Sequence, residues 1–417
     1  MHNSRSSTTP IVSSNPSTDV GVAPRRLPDE LVLLIVDYCA YLEDNRERER
    51  TFAALCLLSR RYKQAAERHL YSRLTLTREV LVKGVSAGSA TETLARRVEL
   101  RPHVHAIEYE CAYPQDVNEH PSVAALLLLL PSIEELVEPN IHSAALAAAL
   151  RSGHVRIRRV VVAEWEDDVD EFVKVHKQAF SCVRGLRLDY LNNFGLFGFP
   201  PALRGITSLV VDSFVENGYL LNEGAALYPP SLESITLPLV TTWRDADTPT
   251  PSSTLAACQH LGHFGVAGQG DVEEYEQAIP PLAFMLHSAP ASLLSVSIDA
   301  TLRVRTTGKA ANWELFTDQE VLPIRIPSSS TDLLEAIPVQ VEHLSLVTNC
   351  FRAIDVAVHL VGARRPRALK TLRLGGDVGR VLGWILYGDG AAAGPFGALK
   401  GQLERDGVVV TTVPSRW

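Results

Sequence analysis

The chain lacks the closely spaced cysteines of a zinc or redox site. Its six cysteines are scattered over 417 residues and no Cys-x-x-Cys occurs, so neither a zinc cluster nor a thioredoxin-like motif is supported. A usable Asn-x-Ser/Thr site is also missing, because Pro16 spoils the sequence Asn15-Pro16-Ser17. These absences favour an intracellular protein with reduced thiols, and we expect it in the cytoplasm, the nucleus or both.

Long apolar runs are missing as well. The longest, VAALLLLL at 123–130, is far shorter than the roughly 20 residues that a membrane-spanning helix needs. The first 20 residues show no positively charged region followed by an apolar one, so they do not read as a signal peptide. We therefore expect no association with a membrane.

An excess of positive charge is the third absence. The formal net charge is −8, from 40 basic and 48 acidic residues, whereas nucleic-acid binders usually carry a basic balance or a dense basic patch. The remaining composition, 46% hydrophobic and 21% charged, is that of an ordinary globular protein. A chain of this length is expected to form two or more folding units, with no nucleic-acid partner.

Motifs that carry enzyme chemistry are not found. HExxH, GxSxG and GxxxxGK[ST] are all missing. The glycines of GHFGVAGQGD at 262–271 lack a nucleotide-binding spacing, and the acidic run EWEDDVDE at 164–171 is typical of a solvated turn that begins a helix. We therefore predict a protein that is not an enzyme, with no catalytic, metal-binding or cofactor-binding residues.

The N-terminal region changes character abruptly. Residues 1–24 are rich in Ser, Thr, Pro and Asn and are predicted to be disordered. The sequence LPDELVLLIVDYCAYL follows, with apolar side chains at helical spacing: Leu31, Leu34, Ile35, Tyr38 and Leu42. Further helical patterns, TFAALCLLS and RRYKQAAERHLYSRL, come after a charged connector at 43–50, and LTL at 74–76 alternates like a short strand. Three short helices form a very small core, so we expect them to pack against another surface for stability.

From about residue 100 a repeat takes over. An apolar-x-x-apolar-x-apolar pattern recurs ten times, at steps of 23 to 48 residues, and helix-like segments lie between many of the copies. The middle positions of the copies are Ile107, Leu136, Val160, Leu186, Leu209, Ile235, Phe264, Val296, Leu344 and Leu372. Most of the steps lie in or near the 20–29 residues of leucine-rich repeats.

This period predicts an α/β solenoid over 101–417, with a parallel sheet on one face and helices on the other. The copies are irregular: Glu138 breaks the apolar pattern of the second, and only Asn349 supplies the turn asparagine that leucine-rich repeats often carry. The 48-residue step predicts either an insertion near 300–340 or a repeat that the pattern does not reveal. LKGQLERDGVVVTTVP is expected to form a last helix and an edge strand that cap the solenoid.

The helical region resembles the F-box, especially the versions in fungal proteins that precede leucine-rich-like repeats. The first matching block is Leu27-Pro28, Glu30-Leu31 and Ile35, and the second contains Leu55-Cys56, Leu58-Ser59-Arg60-Arg61-Tyr62 and His69-Leu70-Tyr71. The match covers about 50 residues; the charged connector at 43–50 is an insertion relative to compact F-boxes, and Tyr62 stands where a tryptophan is frequent. The resemblance implies a three-helix F-box domain at 25–76, joined by a connecting segment at 77–100 to the solenoid.

The resemblance further implies a substrate-recruiting subunit of a cullin-based ubiquitin ligase. The F-box would dock on a Skp-family adaptor, and through it on a cullin, while the solenoid would hold a target that the sequence does not identify. The side chains that the adaptor would cover are Leu27, Pro28, Leu31, Ile35, Leu55 and Leu58. Packing of the same side chains on the first solenoid repeat is the alternative, and the corresponding function is a leucine-rich scaffold without a role in ubiquitin ligation.

Overall fold

The computed structural model describes residues 27–40, 45–83, 85–110, 119–165, 167–190, 203–212, 229–239, 255, 258–270, 272–302, 330–387 and 395–413. The predicted disordered tail at 1–24 lies outside these residues. The chain divides into two compact units, Met1–Leu70 and Tyr71–Trp417, and each is described by itself.

The described part of the first unit contains three helices. They are α1 (Asp29–Ala40), α2 (Asn45–Leu58) and α3 (Arg60–Leu70). Their shared core is small: among the described residues its buried members are Val36, Phe52, Leu55 and Ala66, with a few half-buried neighbours such as Tyr62. A core of this size stabilises a domain only marginally.

The second unit is built on one parallel sheet. Its strands lie in the order in which they occur along the chain, and every pair of neighbours is parallel. They are β1 (Arg73–Leu76), β2 (Ala106–Tyr109), β3 (Glu135–Val137), β4 (Arg159–Glu164), β5 (Gly185–Tyr190), β6 (Ser208–Val211), β7 (Ser234–Pro238), β8 (His263–Gly270), β9 (Ser295–Leu302), β10 (His343–Val347), β11 (Thr371–Gly375) and β12 (Val409–Thr412). A sheet that grows by one strand per repeat is the signature of a solenoid.

The register of this sheet confirms the predicted repeat. All ten predicted middle positions pair with one another in a single unbroken row from Ile107 to Leu372. Leu74 and Val410 extend the row at its two ends. The apolar side chains of these strands point to the same face, since successive residues of a strand alternate between faces, and there they form the main hydrophobic core.

Helices connect many of the strands and cover the apolar face. They are α4 (Arg78–Lys83), α5 (Val85–Arg96), α6 (Pro121–Leu128), α7 (Ala144–Arg151), α8 (Asp167–Val175), α9 (Lys177–Phe180), α10 (Val272–His287), α11 (Ser330–Glu335), α12 (Ala353–Val361), α13 (Gly376–Tyr387) and α14 (Pro395–Asp406), and a 3-10 helix spans Val98–His103. Leu126 of α6, Leu146 of α7 and Leu360 of α12 are among the side chains that they bury in the core. As predicted, α14 and β12 end the sheet.

The division between the units lies earlier than the sequence suggested. The predicted helical domain ran to residue 76, but β1 pairs with β2 and so belongs to the sheet of the second unit. The predicted connecting segment at 77–100 contains α4 and α5, whose Val80, Leu81 and Leu94 lie in the main core. Residues 71–103 thus form the first repeat of the solenoid.

Two irregular positions in the repeat have structural causes. Glu138, which breaks the apolar pattern, has a left-handed backbone with φ of 48° and directly follows β3. Asn349 acts as the predicted turn asparagine: its Oδ1 accepts from the Leu302 N–H at 2.7 Å and its Nδ2 donates to the Leu302 carbonyl at 3.1 Å. Its side chain thereby ties the end of β9 to the turn after β10.

The 48-residue step is an insertion within one repeat. Although residues 303–329 lie outside the described part of the chain, β9 pairs directly with β10. A further repeat would place its own strand between these two, so the insertion adds no strand to the sheet.

Candidate functional site

Helix α1 begins directly after the Leu27-Pro28 pair. The Pro28 carbonyl accepts hydrogen bonds from the N–H groups of Leu31 and Val32, at 3.1 and 3.2 Å. Proline suits this position because its missing N–H has no partner to lose in the first turn. The Leu-Pro pair therefore sets the start of the helix and carries Leu27 just outside it.

One face of α1 forms the core of the first unit. Val32 and Val36 are buried, and Cys39 is half-buried one turn further on. These three residues follow each other at i, i+4 and i+7, which places them on a single stripe. The helix packs with this stripe against both α2 and α3.

A second apolar stripe of α1 is exposed. Leu31, Leu34, Ile35 and Tyr38 are exposed by 44, 63, 38 and 75%, although they repeat at i, i+3, i+4 and i+7 like a face made for burial. The helix thus carries two apolar stripes, and the three-helix unit buries one of them. We call Leu31, Leu34, Ile35 and Tyr38 the α1 stripe.

Polar and aromatic contacts fix how the helices lie around it. The Arg61 guanidinium, in the first turn of α3, donates to the Leu27 carbonyl at 3.4 Å. At the other end, His69 of α3 lies 3.5 Å from the Asp37 carboxylate and stacks on Phe52 of α2 with ring centroids 5.2 Å apart. Helices α1 and α3 therefore run in the same direction, with α2 antiparallel to α3.

This arrangement brings further apolar side chains to the start of α1. Because Arg61 reaches Leu27, the turn between α2 and α3 lies near the N-terminal end of α1. Leu57 and Leu58, at the end of α2, are exposed by 88 and 69%. Large exposed apolar side chains at one end of so small a unit mark a surface suited to contact with another protein.

The predicted adaptor-binding residues divide into two groups. Leu27, Pro28, Leu31, Ile35 and Leu58 are exposed, whereas Leu55 is only 9% exposed and packs with Val36, Phe52 and Ala66. Leu55 therefore supports the surface from beneath. Leu34, Tyr38 and Leu57 are also exposed, and the sequence prediction did not name them for this surface; the helical spacing contained the signal for the first two, which share the stripe with Leu31 and Ile35.

Two of the described cysteines, Cys258 and Cys350, are buried. Burial raises the pKa of Cys258 to about 11 and that of Cys350 to about 12, which keeps both thiols protonated and unreactive. The five described cysteines are all free, and within the described ranges no cluster of three or more His, Cys, Asp or Glu side chains could hold a metal ion. None of the described helices is both long and apolar enough to cross a membrane.

Comparison with known proteins adds a distant likeness. The leucine-rich repeat-containing protein LegL7 from Legionella pneumophila has a solved structure that is similar at a TM-score of 0.40 and 13% identity, over 82% of this chain and 90% of that one. No protein-family model and no curated protein matches the sequence. The assignment of the second unit as a leucine-rich-repeat-like solenoid therefore rests on its own strand order and register.

Proposed function

We propose that this protein is the substrate-recruiting subunit of a cullin-RING ubiquitin ligase of the SCF type. Its helical unit acts as the F-box and docks on a Skp-family adaptor, while the solenoid binds the protein that is to be modified. The observation that supports this proposal best is the α1 stripe, which leaves four apolar side chains exposed at core-like spacing.

The exposed apolar side chains of the helical unit favour contact with a protein partner over contact with water. Burial of an exposed Leu or Ile side chain contributes about 1.5–3 kcal/mol, and recognition of an amphipathic helix commonly uses anchors at i, i+3, i+4 and i+7. Leu27, Pro28 and Leu58 extend the same kind of surface past the start of the helix. A partner that covers them would add stability to a unit whose own core is small.

The mechanism is tethering. The subunit catalyses no step; by holding the target and the adaptor on one chain it raises the effective concentration of the target beside the ubiquitin-conjugating enzyme. A solenoid is suited to the task because its repeats supply an extended surface for binding. Such a complex acts in the cytoplasm, the nucleus or both.

The test is the binding of a purified Skp-family adaptor to the full chain and to a variant of the α1 stripe. Leu31→Asp combined with Ile35→Asp places two carboxylates where apolar contacts are needed, and we expect at least about a hundredfold loss of affinity. Isothermal titration calorimetry measures it, and circular dichroism establishes that the variant keeps its helices.

Leu33→Asp provides the matched control. Leu33 is exposed by 53% on the same helix, but lies on the side away from the α1 stripe, so the same chemical change there should leave affinity nearly unaltered. Equal binding by the double variant and the wild type would refute the proposed docking surface. A wild type that binds no Skp-family adaptor would favour the alternative function, a repeat scaffold without a role in ubiquitin ligation.

A further inference from the structure

The edge of the sheet at which its strands begin, here called the amino-terminal edge, carries a second surface. Its chemistry differs from that of the apolar α1 stripe. Each residue that precedes a strand here donates its backbone N–H to the residue at the same position one repeat earlier. Glu134 donates to the His105 carbonyl at 2.8 Å, Arg158 to the Glu134 carbonyl at 2.6 Å, and Arg184 to the Arg158 carbonyl at 2.8 Å. These four residues therefore follow one another along the edge, one per repeat.

A cavity of about 330 Å³ lies among these repeats. Its walls include four side chains that carry or can take positive charge: His105, His154, Arg156 and Arg158. Ser132 and Cys182 line it as well. Its volume is at the lower end of the range of about 300–1,000 Å³ that is typical of ligand sites, so it suits one or two side chains of a partner better than a large cofactor.

The balance of charge in this cavity is opposite to that of the chain. Although the net charge of the protein is −8, the lining of the cavity contains one carboxylate, that of Glu134, and two guanidinium groups, together with two imidazoles. Glu134 lies 3.6 Å from Arg158, while Arg156 forms no ion pair with any residue that the structure describes. An exposed cationic group without a partner in a cavity is suited to bind an anion.

We propose that this cavity binds a carboxylate side chain from an acidic segment of a partner protein. The planar guanidinium matches a carboxylate with two parallel hydrogen bonds, and the position on an open edge lets an extended segment run past it. A nucleic acid fits less well, because its backbone needs a continuous basic track. Here acidic residues interrupt the row: Glu134 lies between His105 and Arg158, and Glu233 follows Thr207 further along the edge.

The site belongs wholly to the second unit, so it does not depend on the α1 stripe. If the chain recruits a target to a ubiquitin ligase, this cavity would hold part of that target, and this role rests on the proposed function. The binding of an acidic segment itself does not, because it requires no adaptor.

The experiment is fluorescence anisotropy on the full chain with a short labelled peptide of alternating Glu and Ser. A peptide with Gln in place of Glu is the comparison. We expect the wild type to bind the Glu peptide at least about tenfold more tightly than the Gln peptide, and Arg156→Ala combined with Arg158→Ala to weaken Glu-peptide binding at least about tenfold. Arg364→Ala combined with Arg380→Ala removes the same charge from exposed positions elsewhere on the solenoid and should have little effect.

Three results would overturn the proposal: equal binding of the Glu and Gln peptides, unchanged affinity in the Arg156/Arg158 variant, or tighter binding of a single-stranded oligonucleotide than of the Glu peptide. Thermal melting shows whether the double variant folds. If it does not, Arg156→Ala alone gives the same test, because removal of the Arg156 guanidinium breaks no ion pair with a described residue. Binding of the Skp-family adaptor should be the same in all these variants, which separates failure of this proposal from failure of the adaptor proposal.

Discussion

At the scale of single residues, His359 shows how burial couples this protein to pH. It lies on the inner side of α12 and is buried, and its Nε2 makes no hydrogen bond with any residue that the structure describes. Burial lowers the pKa of this imidazole, and the nearby Glu335 carboxylate opposes the shift in part. The folded state thus holds His359 neutral at a pH where the unfolded chain would bind a proton.

The free energy of unfolding should therefore depend on the protonation of His359. Its contribution is fully retained above the unfolded-state pKa, near 6.5. As the pH falls from there towards the lowered folded-state pKa, the unfolded chain binds more protons and stability is lost. Urea unfolding from pH 8 to pH 5 should show a steeper loss for the wild type than for His359→Gln, which cannot be protonated. His260→Gln, at an exposed position, is the control; parallel curves for the wild type and His359→Gln would contradict the prediction.

Single residues also mark the limit of sequence reasoning. The turn role of Asn349 was predictable, since an asparagine at that repeat position satisfies backbone groups of a neighbouring turn, and it does so for Leu302. The burial of Leu55 was not, because Leu55 and Leu58 lie one turn apart on α2 and the sequence carries no sign of which of them α3 covers. Side chains on a helix that is apolar on more than one side are sorted by tertiary packing, which a period cannot reveal.

At the scale of elements, the repeat was predictable because its signal is summed over many copies. Each apolar triplet is weak by itself, but the recurrence of ten copies, most of them at steps in or near the range of 20–29 residues, located the whole row from Ile107 to Leu372. The pattern missed Leu74, the first member of the row, since β1 follows a helical unit and not a preceding repeat. A terminal repeat has only one neighbour, so its sequence obeys a weaker constraint.

Strand β11 continues into helix α13 with no residue between them. The strand ends at Gly375 and the helix begins at Gly376, which has φ of +62°. A Cβ at Gly376 would lie 2.7 Å from the Thr348 carbonyl oxygen and 2.9 Å from its carbon. Only glycine lets the strand continue directly into the helix at this distance from the turn after β10.

Gly376→Ala should therefore destabilise the second unit by about 2–5 kcal/mol, from the left-handed backbone and the steric overlap together. Gly407→Ala separates the two causes. Gly407 has φ of +66°, but no atom lies within 4 Å of the position that an added methyl group would take, so we expect a loss of only about 1–2 kcal/mol. Chemical unfolding of both variants measures the difference, and equal losses would mean that crowding against Thr348 costs nothing.

At the scale of the whole molecule, the chain has two hydrophobic cores of very different size. The core cluster of the first unit contains four buried hydrophobic residues among those that the structure describes, whereas the core of the second continues from Leu76 to Leu403. The sequence indicated both units, but it placed their division after residue 76, because a short alternating strand looks the same at the end of one domain and at the start of another. Pairing with β2 decides the matter, and pairing between distant segments is what a single sequence does not display.

This division predicts which fragments fold. A fragment of residues 71–417 keeps β1, whose Leu76 is buried and whose Arg73 lies 3.2 and 3.0 Å from the carboxylates of Glu108 and Glu135. It should melt at the temperature of the second unit in the full chain and bind the Glu peptide with unchanged affinity.

A fragment of residues 77–417 lacks only this strand and the two residues before it. It exposes the edge of β2, loses the buried Leu76 and removes the Arg73 guanidinium from Glu108 and Glu135, although Glu135 keeps Arg159 at 3.8 Å. We therefore expect a loss of about 2–5 kcal/mol. Differential scanning calorimetry of the two fragments measures the effect. Equal melting temperatures would show that β1 is dispensable and that the solenoid begins at β2, since a strand that contributes to the sheet cannot be removed without cost.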